Sequence, residues 1–203
     1  MGKTTLLGLV FILISIFGAR AQQRTEQAEL PFKEIPAYPE NYESGNVMAR
    51  FIDGLGYRYF WATEGLTTSD LAYRPSPDSR SILETMQHID DLIQLTLNAV
   101  EGKSNIRGEK RWKDWSFTTT RNATLTSLNS IRMGVANQSG DTLAAMEIRF
   151  NNNGQESSVA AWHLMNGPIA DALYHVGQLV NMRRANGNPM NPKVDVFRGK
   201  TAN

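Results

Sequence analysis

The chain has no cysteine among its 203 residues. That absence excludes disulfides, cysteine-ligated zinc, iron–sulfur clusters, a cysteine nucleophile and a lipid-modified cysteine at a processed N-terminus. Histidine is nearly as scarce, with three in the whole sequence, so a histidine-based metal site has few ways to form. An excess of one charge is missing too: 21 Lys and Arg stand against 20 Asp and Glu, with no block of basic residues. A polybasic nucleic-acid surface is thereby excluded. No internal repeat or low-complexity tract is present, and the length suits one domain with a real core.

The one long apolar run lies at the start. Lys3 gives a positive n-region, Leu6 to Phe17 an apolar stretch, and Ala19-Arg20-Ala21 a small-x-small cleavage site. The pattern predicts a signal peptide over residues 1–21, cleavage before Gln22, and a periplasmic or secreted product. The run is shorter than the roughly 20 residues a spanning helix needs, so no stable membrane anchor is expected. Removing 1–21 takes Lys3 and Arg20 and no acid, leaving 19 basic and 20 acidic side chains.

Residues 22–43 are polar and then punctuated by Pro31, Pro36 and Pro39, which reads as an extended lead-in. From Ser44 to about Gly65, Val47, Phe51 and Leu55, with Met48, Ile52 and Tyr59 beside them, follow helical spacing. A rigid loop at Arg74-Pro75-Ser76-Pro77-Asp78 precedes Ser81-Ile82-Leu83-Glu84, a capping box that opens a second helix with Ile82, Met86, Ile89, Ile93 and Leu97 inward. The stretch 103–118 reads as a loop carrying Trp112 and Trp115. Residues 119–136 form a third helix despite many Thr, Asn and Ser.

Met146 to Phe150 alternates with period two ahead of Asn151-Asn152-Asn153-Gly154, so a strand or hairpin is expected. Residues 157–166 read as an extra helical segment that joins the last helix at a kink. That helix begins at Gly167-Pro168, buries Ile169, Leu173, Val176 and Val180, and ends with Arg183, Arg184 and Gly187. The tail 191–203 reads as an extended arm. The fold class is all-α: a helical bundle over residues 44–190 with a short β-hairpin before the last helix.

Asp171 and His175 stand four apart on that helix, so their Cβ atoms lie roughly 5–6 Å apart on one face. Gln178 continues the stripe. On the second helix, His88 shares a partly apolar stripe with Leu92 and Leu95. Asp171, His175 and His88 have the composition of a two-histidine, one-carboxylate metal triad with open positions. The spacing equally suits solvated or hydrogen-bonded side chains. His163 lies twelve residues before His175, about 18 Å along a continuous helix, which reads as structural. Glu84 could add a ligand, but its capping-box role explains it better. Asp91 could orient the His88 ring or face water. Trp112 and Trp115 read as core lids, or as a substrate mouth. Gly177 reads as a site of close helix approach.

Gly167-Pro168-Ile169-Ala170-Asp171-Ala172-Leu173-Tyr174-His175-Val176-Gly177-Gln178 resembles the last-helix signature of the DinB/YfiT-like superfamily. Ser81 to His88 and the Arg183…Gly187 ending fit the same pattern, and the resemblance spans roughly residues 44–190. It implies an up-down-down-up four-helix bundle with one ligand histidine on the second helix and a His-x3-His pair on the last. Here Asp171 stands in place of the first histidine of that pair. The implied ligand set is His88, Asp171 and His175, holding one divalent ion drawn from Zn, Fe, Mn or Ni. The carboxylate shifts preference toward Fe(II), Mn or Zn.

The resemblance implies a metal-binding protein, which the signal peptide makes an exported one. An open metal position could activate a bound water for hydrolysis of an unidentified small molecule, and the resemblance does not choose between hydrolases and thiol transferases. A thiol-dependent transferase is one alternative; lacking cysteine, the protein would take its thiol as a substrate. A non-catalytic metal-binding or envelope interaction bundle is another. Tyr57, Tyr59, Phe60 and Trp61 on the first helix suit a helix-packed homodimer.

Overall fold

Serine and threonine side chains set where most of the helices begin. The computed structural model describes residues 29–108 and 115–202. Residues 1–28, with the expected signal peptide, residues 109–114, with Trp112, and Asn203 lie outside the described residues. Helix α1 (Ser44–Thr63) starts after Glu43 without a side-chain cap. A reciprocal Thr67–Asp70 capping box opens α2 (Thr68–Ala72), and the Ser81–Glu84 box opens α3 (Ile82–Val100), as the sequence pattern predicts. After a short strand, β1 (Ser104–Ile106), Ser116 accepts from the Thr119 N–H and caps α4 (Phe117–Val135). That cap supports a helix whose composition is poor. Ser139 caps α5 (Gly140–Ala144).

Next comes a hairpin, β2 (Glu147–Asn152) and β3 (Gln155–Ala160), turning at Asn153 (φ 52°) and Gly154 (φ 89°). Two successive positive φ values give the turn the twist that antiparallel strands need, and Asn-Gly tolerates them. β2 pairs antiparallel with β3 and parallel with β1. A helical turn, α6 (Trp162–Leu164), leads through a π-helical segment, Met165–Ile169, into α7 (Ala170–Ala185). The last pair, β4 (Val194–Asp195) and β5 (Lys200–Thr201), forms a two-stranded ribbon.

Two expectations change. The chain is mainly helical but carries two small sheets, so all-α is too strong. Residues 157–160, expected to begin a helical segment, instead complete β3, because each pairs with β2 and helix begins only past Ala161.

The four long helices close a ring: α1 and α3 each lie against both α4 and α7. Ile52, Leu55 and Tyr59 of α1, Ile82, Met86, Ile89 and Ile93 of α3, Leu125, Leu128 and Ile131 of α4, and Val176 and Leu179 of α7 fill the centre. The expected α1 stripe is split. Leu55 is buried, but Val47 and Phe51 face outward while Met48 and Ile52 point in. Tyr57, Tyr59 and Phe60 are buried as well, so these aromatics supply core and not the outer face read for a dimer. Among the described residues, no helix is long and apolar enough to cross a membrane.

The C-terminal end of α7 is locked to the α1–α2 connection. Arg183, read from sequence as a partner of the helix dipole, is buried; its Nη1 donates to the carbonyls of Trp61, Ala62 and Glu64 at 3.0–3.1 Å. Gly187, at φ 84°, ends the helix in the left-handed region as expected. Asp70, also buried, accepts from Asn186 and Asn188 side-chain amides at 2.7 Å each and from the Thr67 N–H and hydroxyl. The tail is no free arm either. Tyr57 O–H donates to the Lys200 carbonyl at 2.6 Å, and Ile35 N–H to the Gly199 carbonyl at 2.9 Å.

Burial pushes the Asp70 carboxyl up, but the hydrogen bonds from Asn188, Thr67 and Asn186 together outweigh it and hold the group below its ordinary value. A depressed carboxylate contributes stability that is complete above its unfolded pKa, about 3.9, and is lost as pH falls below that. Asp70→Asn is therefore expected to cost about 2–4 kcal/mol at neutral pH, lowering Tm by roughly 5–15 °C. It should also flatten the loss of stability below about pH 4. Thermal melts across pH check both; a variant that keeps the wild-type acid sensitivity contradicts the assignment.

Candidate metal centre

His88 stands two turns into α3 and is anchored by the Ser81–Glu84 cap at its start. Asp171 and His175 stand in the first turns of α7. Pro168 lacks an N–H and clashes with a regular helix before it; the wider π turn and the non-helical Gly167 (φ −96°, ψ −110°) accommodate it. The kink sets where α7 starts and hence how Asp171 faces α3.

Across the α3–α7 seam, His88 Nε2 lies 3.6 Å from Asp171 Oδ2, and His175 Nε2 lies 3.4 Å from Asp171 Oδ1. The two imidazoles meet edge to face at 4.6 Å between centroids. One ligand atom from each residue lies within 4.8 Å of the others. Both nitrogen–oxygen separations exceed a good hydrogen bond. The two contacts run to different carboxylate oxygens, and they lie close to the roughly 3.3–3.4 Å that separates ligands on one tetrahedral ion. His175 is nearly buried, whereas the Asp171 side chain is 44% exposed. The cluster therefore opens to solvent on its carboxylate side, and Asp171 is less inward than the helical stripe suggested.

His175 is also oriented from behind. Its Nδ1 lies 2.7 Å from Gln178 Oε1. With its amide oxygen on Nδ1, Gln178 favours the proton there and leaves Nε2 as the ring atom facing Asp171. Tyr174, largely exposed, packs its ring edge on His175 at 5.4 Å. His88 is held below the ordinary histidine pKa, first by burial and then by the charges of Arg80 and His175, against Asp171 and Asp91. A neutral imidazole is the metal-binding form. The cluster thus presents a carboxylate and two imidazoles, a donor set that could hold one divalent ion.

The other candidates separate cleanly. Glu84 is occupied by its cap and by a bidentate pair with Arg74, both contacts at 2.6 Å. His163 is exposed in the α6 turn ahead of the kink and outside the cluster. Asp91 acts on His88 through its charge. Trp115 is half-buried at the start of α4. Gly177 is exposed, and a Cβ there would meet nothing within 4 Å, so close helix approach does not explain it. Gln178 was visible in the sequence as part of the stripe; its position three residues after His175 is the signal for an orienting role.

A solved structure supplies the comparison for this architecture. A DinB-like protein, YjoA from Bacillus subtilis, matches with a TM-score of 0.54 at 17% identity, over 72% of this chain and 96% of that one. The fold is DinB-like. No protein-family model matches the sequence, and no curated protein matches it. Within this DinB-like chain the cluster sits on the seam between the second and last of the four long helices.

The orienting bond can be read without a metal. Long-range 1H–15N spectra of the metal-free protein should show His175 as the Nδ1–H tautomer. In Gln178→Leu the ring should revert toward the Nε2–H form usual for free histidine. The same tautomer in both proteins would remove Gln178 from the site.

Proposed function

We propose that this is an exported DinB-like metal-binding protein, in which His88, Asp171 and His175 hold one divalent ion with positions left open for water and substrate. The observation that supports this most is the convergence of three acceptor groups with neither nitrogen–oxygen contact a hydrogen bond. A carboxylate with an imidazole nitrogen on either side at 3.4–3.6 Å is a place where a divalent cation fits. The same reading takes α1, α3, α4 and α7 as an up-down-down-up bundle, residues 1–21 as a signal peptide and 44–190 as the domain. It places the mature protein in the periplasm or outside the cell. An intact mass beginning at Gln22 supports export, and a full-length cytosolic product counts against it.

The reaction class this arrangement suits is hydrolysis of an ester, amide or similar bond in a small molecule. A divalent ion would supply Lewis acidity and lower the pKa of a coordinated water toward neutrality. The chain's own part is positional. Gln178 fixes the His175 tautomer, burial keeps His88 neutral, and the half-exposed Asp171 leaves the solvent side accessible. Two imidazoles and one carboxylate suit Zn, Fe(II) or Mn over softer ions.

Reconstitution with Zn, Fe(II), Mn or Ni should give one tightly held ion per chain for at least one metal. An ion that binds only the folded state stabilises it by about 2.7–4 kcal/mol at 100–1,000 times its Kd. Tm should then rise by roughly 5–15 °C. His163→Ala should keep that rise, while His88→Ala, Asp171→Ala and His175→Ala should lose most of it. The metal-dependent difference is the quantity to compare, since removing Asp171 also relieves its charge in the metal-free state. A rise that survives Asp171→Ala and disappears in His163→Ala contradicts the ligand set.

A further inference from the structure

A groove of about 1060 Å³ runs along the outer face of α1. None of His88, Asp171 and His175 lines it. Leu173, which does, stands two residues from Asp171, about 200° around α7. The groove and the metal cluster therefore use opposite sides of that helix. Val47 and Phe51 form part of its floor, and Tyr38, Tyr42, Trp162 and Phe197 its walls; all four wall residues are more than three-quarters exposed. An apolar surface of this extent marks a binding site more often than bare solvent-facing structure.

Two features indicate what fills it. The first is Gly54, in the interior of α1. Glycine weakens a helix relative to alanine, so its presence needs a reason. A Cβ at Gly45 would run into the Val135 carbonyl, and one at Gly56 into the Phe32 ring, so packing accounts for both. A Cβ at Gly54 would meet only the flexible end of Arg58, at 3.3 Å. Packing does not require this glycine; what its missing side chain does is keep the groove floor open.

The second feature is charge. Arg50 and Arg58 flank Gly54 at one helical turn on either side and line the same groove. Their hydrogen bonds go to main-chain carbonyls: Arg50 to Pro36 at 2.8 Å, and Arg58 to Gly54 and Val196 at 3.0 and 3.3 Å. Asp53 on the same helix is paired with Arg132 at 2.9 Å. Two guanidinium groups thus edge an apolar trough; Arg50 lies over the Tyr38 ring at 4.9 Å and its charge reaches Asp53, but neither group makes an ion pair with a carboxylate among the described residues. We propose that the groove binds an anionic amphiphile of the long-chain fatty-acid class, its carboxylate at Arg50 and Arg58 and its alkyl chain over Gly54 and Phe51.

Calorimetric titration of the purified chain with dodecanoate, kept below its micelle concentration, tests this. Saturable one-to-one binding is expected, and dodecyltrimethylammonium should bind at least about tenfold more weakly. Gly54→Leu should fill the trough and abolish binding while melting no lower than wild type. Arg50→Gln combined with Arg58→Gln should weaken binding by at least about tenfold, and carries the test if Gly54→Leu folds poorly. Asp171→Ala should bind dodecanoate normally, which separates this site from the metal reading. No saturable binding, equal affinity for the cationic amphiphile, or binding indifferent to the arginine and glycine variants overturns the proposal. So does light scattering that shows a wild-type dimer converted to monomer by Gly54→Leu, since the groove would then be covered by a second copy.

Discussion

Three groups that accept protons or cations are held facing one another where α3 meets α7, and much of the surrounding structure serves to keep them there. A carboxylate and two imidazoles at 3.4–3.6 Å stand beyond good hydrogen-bond distance of one another. The helices that carry them must be fixed by other means. At one end α3 is fixed by the Ser81–Glu84 box and the Arg74 pair on Glu84. At that same end, where Ile82 N–H donates to the Tyr73 carbonyl just past α2, α7 is fixed by Arg183 reaching three carbonyls of the α1–α2 connection and by the Asp70 cluster. Beyond these anchors Ile89 and Ile93 share the core with Val176 and Leu179. The anchors thus meet at the α2 end of the seam, and the cluster lies further along it.

The last helix has two working sides. One presents Asp171, His175 and Gln178 to α3; the other presents Leu173 to the apolar groove along α1. The π turn at Met165–Ile169 sets the rotation of both sides at once, because everything beyond it follows as one rigid helix. Substitutions at Gly167 or Pro168 would therefore disturb metal cluster and groove together, whereas Asp171 and Gly54 address them separately.

Much of this was legible in the residues. Capping chemistry is local, so Ser81–Glu84 placed the start of α3, and Asn-Gly placed the hairpin turn. Helical periodicity located the four long helices, and the residues spaced i, i+4 on α7 did converge with His88. What was misread depended on tertiary partners. The α1 stripe was taken as Val47–Phe51–Leu55 because both neighbouring stripes are apolar, and only packing decides which one turns inward. Arg183 looked like a cation placed to suit the helix dipole; its burial depends on carbonyls more than 100 residues away in sequence. The hairpin was expected, but residues 157–160 were assigned to the helical segment after it, because they have no strong pattern of their own and become strand by pairing with β2.

The central claim is that His88, Asp171 and His175 share one ion. X-ray absorption at the metal edge of the reconstituted protein tests it most directly. The account predicts nitrogen and oxygen ligands at about 2.0–2.2 Å, with outer-shell scattering from two imidazole rings, reduced to one ring in His175→Ala. A metal shell of oxygen alone, or a two-imidazole signature that persists in His175→Ala, would contradict it.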